Sequence, residues 1–337
     1  MTYLLGWSVI PQILIRRERW PGGYKTRAIP LVRRGQDVLP DQPVLRMKQM
    51  ESIEEVMTIP HLSLPSVMDA PGGVNYNTRS GITPVDETLP AGLRGRVVDI
   101  THRGGVIIES YAAVLQGVIG AGKQVAGVLT MWQGSAAVQQ GQAAIPPGAL
   151  LVVPGPVNFA MLRQAMISGV AGVIASSVSS RDLEGFLHVD LVRLIDSVDV
   201  DLTQAHLPQI TILLTEGLGT LAMPTRTMNF LSRYQGYIAL LSGITSIRQN
   251  IFPELVISLS VAEVEQHWQP VQPDPTLKIG VQVRVYSGEY EGAIGVVDYL
   301  YSHQQMFPSG IRARAVRLQL ENGSSITVPV ALIERIS

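Results

Sequence analysis

The densest chemical signal in the chain is Thr215-Glu216-Gly217-Leu218-Gly219-Thr220-Leu221-Ala222, which follows a strand-like run. Gly217, Gly219 and Ala222 meet the Gly-x-Gly-x-x-Ala spacing, which lets backbone approach a pyrophosphate at a helix N-terminus. Two features oppose a dinucleotide here. Glu216 would repel a phosphate, and the next strand ends in Ser242-Gly243, where a ribose-binding acid is expected. The competing reading is a structural turn, and no cofactor is expected. A phosphate-binding P-loop is excluded because no Gly-Lys-Ser/Thr follows these glycines.

Other reactive groups are sparse. The chain has no cysteine, which removes disulfides, thiolate nucleophiles and cysteine-ligated metals. His61, His102, His188, His206, His267 and His303 form no metal-ligand spacing, and no metal is expected. Asp196, Asp199 and Asp201 lack the glycine and closing glutamate of a calcium loop and read as a solvated acidic run. No Gly-x-Ser-x-Gly elbow occurs. No catalytic residue is assigned, and the reading leans away from an enzyme.

The elements around these residues alternate. Runs at 149–154, 169–176, 209–214 and 236–241 read as strands, and 157–168, 180–187 and 223–233 read as helices. That alternation predicts a parallel α/β unit over 145–262. Its connecting turns at Gly155, Ser176, Glu216 and Ser242 are expected on the C-terminal edge, where open α/β sheets bind ligands. A small-ligand or nucleotide site at that edge is one functional reading. Ordinary turns are the other.

Before this unit, residues 1–140 read as β-rich, with a long loop-like stretch at 50–90 and a hairpin signal at Arg103-Gly104-Gly105. A helix is conceivable there only around 51–57. The stretch 111–131 reads as a buried strand pair turning at 120–123. Residues 1–50 carry nine Lys/Arg against three acids, on a chain whose net charge is −1. Trp20 and Tyr24 interleave with Arg16, Arg17 and Arg19, a pairing that suits either stacking on bases or a protein contact. The first fifteen residues are apolar but contain Pro11 and are followed by arginines, which is not the polarity of a signal peptide. No membrane span is expected, and the location is read as cytoplasmic. Residues 263–277 read as a proline-rich linker.

From 278 the pattern becomes β throughout. Val283-Arg284-Val285, Gly288, Tyr290, Gly292, Gly295 and Val297, then an Asn322-Gly323 hairpin and Ile333-Glu334-Arg335-Ile336, resemble a KOW module, the SH3-like barrel of ribosomal proteins and Nus-type elongation factors. The resemblance covers 278–337 and implies nucleic-acid or protein binding. Gly35-Gln36, Val38, Gln42 and Val44, followed by 92–98, resemble a barrel-sandwich hybrid, the fold of biotinyl and lipoyl carriers. Residues 49–91 hold no lysine for carrier chemistry. Across 278–337, six Lys/Arg face five acids, a balance that weakens an RNA reading. Arg312 and Arg314 share one strand face there.

The expected architecture is therefore a multi-domain α/β plus all-β protein. It has a β-rich N-terminal domain, a central parallel α/β domain and a C-terminal SH3-like β-barrel. The leading functional expectation is a non-catalytic binding or assembly protein with a protein partner or self-assembly. Nucleic-acid binding through the barrel and the basic N-terminal segment is the alternative.

Overall fold

The computed structural model describes residues 9–22, 26–49, 88–132, 146–197, 199–270, 277–286 and 288–335. Tyr24, the 51–57 segment and most of the 50–90 stretch lie outside them. The described part is β-rich with few helices, a mixed α/β body followed by a β unit.

The body is one large mixed sheet. Its strands are β1 (Val9–Arg19), β3 (Asp37–Val38), β6 (Gly95–Ile100), β7 (Val106–Gln116), β8 (Ile119–Ala121), β9 (Val125–Met131), β10 (Leu150–Val153), β11 (Gly172–Val178), β12 (Thr211–Leu218), β13 (Ile238–Ser242) and β14 (Glu254–Ser258). They run in the order β3-β6-β7-β14-β13-β9-β10-β11-β12-β8, with β1 also on β7. A smaller sheet joins β2 (Thr26–Pro30), β4 (Pro43–Gln49) and β5 (Thr88–Pro90). Strands β9 to β12 are parallel, and the remaining pairings are antiparallel.

The sheet curls back on itself. Only Gly117 and Val118 separate β7 from β8, yet β8 lies at the far end of the strand order, on β12. The chain manages this through close backbone approach. A Cβ on Gly243 would sit 2.1 Å from the Ala121 carbonyl oxygen. The Thr245 hydroxyl accepts from the Gly120 N–H at 2.8 Å and donates to the Gly120 carbonyl at 3.0 Å.

This arrangement corrects one expectation. Residues 111–131 are not a strand pair but the end of β7 followed by β8 and β9, and β8 pairs with β12 while β9 pairs with β10 and β13. Strands β9 and β10 hydrogen-bond across residue 140. Strand periodicity reports which residues are buried; it does not report which neighbour a strand finds.

Helices cover both faces of the parallel strands. On one face lie α1 (Phe159–Ile167), α2 (Ser180–Leu187) and α3 (Leu191–Ile195), packed on Val153, Val173, Ile212 and Leu214, followed by α4 (Val200–Ala205), whose buried Gln204 accepts from the Gly122 N–H at 2.7 Å. Each starts with a side-chain cap, from Asn158, Ser179, Asp190 and Asp199. The acidic run is thus partly a set of helix caps, because a carboxylate satisfies the free N–H groups of a first turn. On the other face α5 (Thr225–Arg233) supplies Phe230 and Leu231 to a core with Leu129, Val152 and Leu213. Helix α6 (Val261–His267) occupies the start of the expected linker. Ser260 and Glu263 form its capping box.

The C-terminal unit is a five-stranded antiparallel sheet of β15 (Gln282–Val285), β16 (Ile294–Leu300), β19 (Ala315–Leu320), β20 (Ser325–Pro329) and β21 (Ile333–Arg335), ordered β20-β19-β16-β15-β21. Val283, Val285, Val297, Val316 and Leu318 fill its core. The β16–β19 hairpin continues outward as β17 (Gln305–Met306) and β18 (Arg312–Ala313).

Candidate functional site

The C-terminal ends of β10, β11 and β12 converge as the alternation predicts, and Gly155, Ser176, Glu216, Gly217 and Gly219 lie there. The Gly155 carbonyl accepts from the Ser176 N–H at 3.4 Å. A register shift between Ala175 and Ser177 opens room beside β12. Ser177 donates to the Leu221 carbonyl at 2.9 Å, which fastens the loop after β12 over the sheet edge. Among the described residues, the buried hydroxyls of Ser176 and Thr215 find no partner.

Ser242 is placed elsewhere. Strand β13 runs antiparallel to β9, with Ile238 opposite Val128 and Leu241 opposite Val125. Its carboxyl end therefore lies with the amino ends of the parallel strands, and Ser242 does not join the others. The run at 236–241 shows a strand but carries no information on direction.

The glycine motif does not take the strand–turn–helix form. Gly217 and Leu218 belong to β12, and α5 begins only at Thr225. Gly217 and Gly219 have φ of +80° and +126°, which favour glycine in a plain turn. Glu216 is engaged as well. The Arg284 guanidinium of β15 donates to its carboxylate, with side chains 12% and 4% exposed. A sheet-edge acid from the body and the arginine of Val283-Arg284-Val285 thus meet as a part-buried pair. Sequence reading found both residues but not their contact, which spans |i−j| = 68.

Around this pair the two units touch. Gly292, with φ of +83°, would bring a Cβ within 2.8 Å of Leu221 Cδ2. A cleft of about 380 Å³ runs between Met223-Pro224-Thr225 on the body and Gly292, Leu320 and Asn322 on the C-terminal sheet. Gly288 has φ of +99°, Tyr290 is 39% exposed, and Gly295 lies in β16 against the Gln319 carbonyl.

The basic N-terminal strand is mostly committed inward. Arg19 is 2% exposed; it donates to the carbonyls of Pro90 and Gln124 and to Gln124 Oε1, at 2.9, 3.1 and 2.9 Å. Burial lowers its pKa to about 10. Arg17 pairs with Glu254 in a part-buried contact. Arg103 packs over the Trp20 ring, 4.7 Å from its centroid, and closes it to stacking. Arg16 is exposed and pairs with Glu109 at 2.6 Å. Of the expected contact surface here, Arg16 alone among the described residues keeps an exposed cation. The alternating charge of β1 concealed that β7 and β14 supply partners.

Glu18 illustrates the local electrostatics. Burial pushes its carboxyl up, but hydrogen bonds from Arg103 and Thr101, with the Arg103 charge, outweigh this and hold it below the ordinary value.

Two other features stand out. An apolar slot of about 270 Å³ opens beside α1, between Trp132, Leu151, Val153 and Met161, near the same sheet edge. Arg312 and Arg314 are exposed on the β17–β18 hairpin beside Met306 and Ile311, 60% and 63% exposed. Among the described residues, no group of three His, Asp or Glu side chains could hold a metal ion, and no helix is long and apolar enough to cross a membrane. No family model, no curated protein and no solved structure matches this chain.

Proposed function

We propose that this chain is a non-catalytic, multi-domain binding or assembly protein. In this reading its C-terminal SH3-like, KOW-type barrel is latched to the body and presents the β17–β18 hairpin to a protein partner. The observation that carries it is the composition of that hairpin. Met306 and Ile311 expose 60% and 63% of their surface next to Arg312 and Arg314. Aliphatic tips flanked by arginines suit a protein interface better than bulk water. The strand order, in which β21 returns to β15, supports the barrel reading. The inward commitment of Glu216, Ser177 and Arg19 supports a scaffold rather than a reactive centre.

The test is a photo-crosslinking side chain at position 306 in the full chain. Protein–protein adducts through that position are expected. Adducts absent at every concentration would count against the reading.

One observation favours a second reading, nucleic-acid binding. Residues 299–320 hold three arginines and no acid; Arg317 pairs with Asp298 at 2.9 Å, which leaves Arg312 and Arg314 as the excess charge of the hairpin. Against it, Arg317 lies over the Tyr299 ring at 5.6 Å and Tyr301 packs on its edge, which closes a stacking face. Oligonucleotide binding that falls steeply with added salt would favour this second reading.

A further inference from the structure

The cationic hairpin has a counterpart on the same chain. Between Ser180 and His206, six carboxylates stand against two arginines, over α2, α3 and α4. Aliphatic side chains are exposed among them: Val192 is 67% exposed and Leu202 50%. The loop after β13 adds Ile247, 60% exposed, whose N–H donates to the Ile195 carbonyl at 2.9 Å. Arg248 in that loop neutralises Asp196 through bonds of 2.6 and 2.7 Å. Asp190 and Asp199 accept from helix N–H groups. Arg103 lies 3.9 Å from Asp201, and the carboxylates still outnumber the arginines on this face, with exposed aliphatic tips among them. The β17–β18 hairpin is the inverse, with arginines around Met306 and Ile311.

We infer that the β17–β18 hairpin of one copy docks on the α3–α4 face of a second copy. This rests on the protein-contact reading above and names the partner. Complementarity selects a second copy: both patches combine exposed aliphatic side chains with unbalanced charge, and the charges are of opposite sign. A nucleic acid would meet Arg312 and Arg314 but leave Met306 and Ile311 in water, and it would be repelled by the acidic face. The contact joins two different patches. It either closes reciprocally in a dimer or propagates along a chain of copies.

Charge reversal with rescue tests this by sedimentation velocity at low salt. The first variant is Arg312→Glu with Arg314→Glu. The second is Val192→Lys with Leu202→Lys, which places two cations among the exposed aliphatic side chains of α3 and α4. All four side chains are exposed, so unchanged unfolding temperatures are expected. Ile311→Ser, which alters no charge, weakens association as well. Each double variant alone loses more than about 100-fold in association constant, because like charges then face each other. Mixing the two double variants restores complexes. If wild type associates and both double variants associate equally well, this assignment is overturned while the assembly reading stands. Failure of the mixture to recover also overturns it. A wild-type monomer at every concentration overturns both. A monomer that binds a short single-stranded oligonucleotide, and loses it in Arg312→Glu with Arg314→Glu, hands the hairpin to nucleic acid.

Discussion

Arg284 on β15 donates to the Glu216 carboxylate near the end of β12, in a part-buried contact where the two units meet. The most ligand-like acid of the parallel sheet edge and the arginine of Val283-Arg284-Val285 are thus partners of each other. Two charges removed from water together are tolerated because each supplies the other's hydrogen bonds. Removing Arg284 takes from the Glu216 carboxylate its cationic donor.

Arg284→Ala, which strips the Glu216 carboxylate of its cation, is expected to lower stability by about 3–5 kcal/mol, and Glu216→Ala by less. The double variant falls short of the sum of the two, with a coupling of about 1–3 kcal/mol. Urea unfolding of the four proteins measures this. Additive losses would mean that the two units do not depend on this pair.

Arg19→Met should cost about 2–4 kcal/mol in the same assay, because it leaves the Pro90 and Gln124 carbonyls buried without their donor. Arg16→Met, on the exposed end of the same strand, should change stability by less than about 1 kcal/mol. Equal effects would contradict the inward placement of Arg19.

Gly243→Ala tests the curl of the sheet. Its Cβ would lie 2.1 Å from the Ala121 carbonyl oxygen, which is backbone and cannot swing aside. A loss of about 3 kcal/mol or more is expected, or no folded protein at all. Gly236→Ala, where a Cβ meets nothing within 4 Å but φ is +86°, should cost only about 1 kcal/mol. Circular dichroism melts compare the two.

Glu18 predicts an acid dependence. Its folded pKa lies below the ordinary value of 4.5, so its contribution is full above that value and fades as pH falls through the folded pKa. The stability difference between wild type and Glu18→Gln should be positive at neutral pH and vanish in acid. A difference that persists unchanged in acid would assign the effect to packing.

Much of the local structure was legible in the residues. The predicted runs at 149–154, 157–168 and 180–187 correspond to β10, α1 and α2, because burial period and Ser or Asn caps act within a few residues. The Arg103-Gly104-Gly105 and Asn322-Gly323 turns are similarly local, with φ of +87° at Gly104 and +81° at Gly323. Three things were not legible. The direction of β13, the closure of β8 on β12 and the Arg284–Glu216 pair are long-range contacts, and alternation along one strand is blind to its neighbour. Short helices α3 and α4 hid in the acidic run because each is too brief to show a period. The near-neutral count over 278–337 also hid Arg312 and Arg314 on the hairpin, since Arg284 and Arg317 pair with Glu216 and Asp298.

The central claim is that this protein works through protein contacts made by its C-terminal hairpin. Sedimentation velocity of the full wild-type chain, over its soluble concentration range and at low and high salt, tests it most directly. The account predicts a sedimentation coefficient that rises with concentration and falls back as salt screens the arginines beyond a Debye length of about 10 Å. A single monomeric species at every concentration, in low salt, would contradict it.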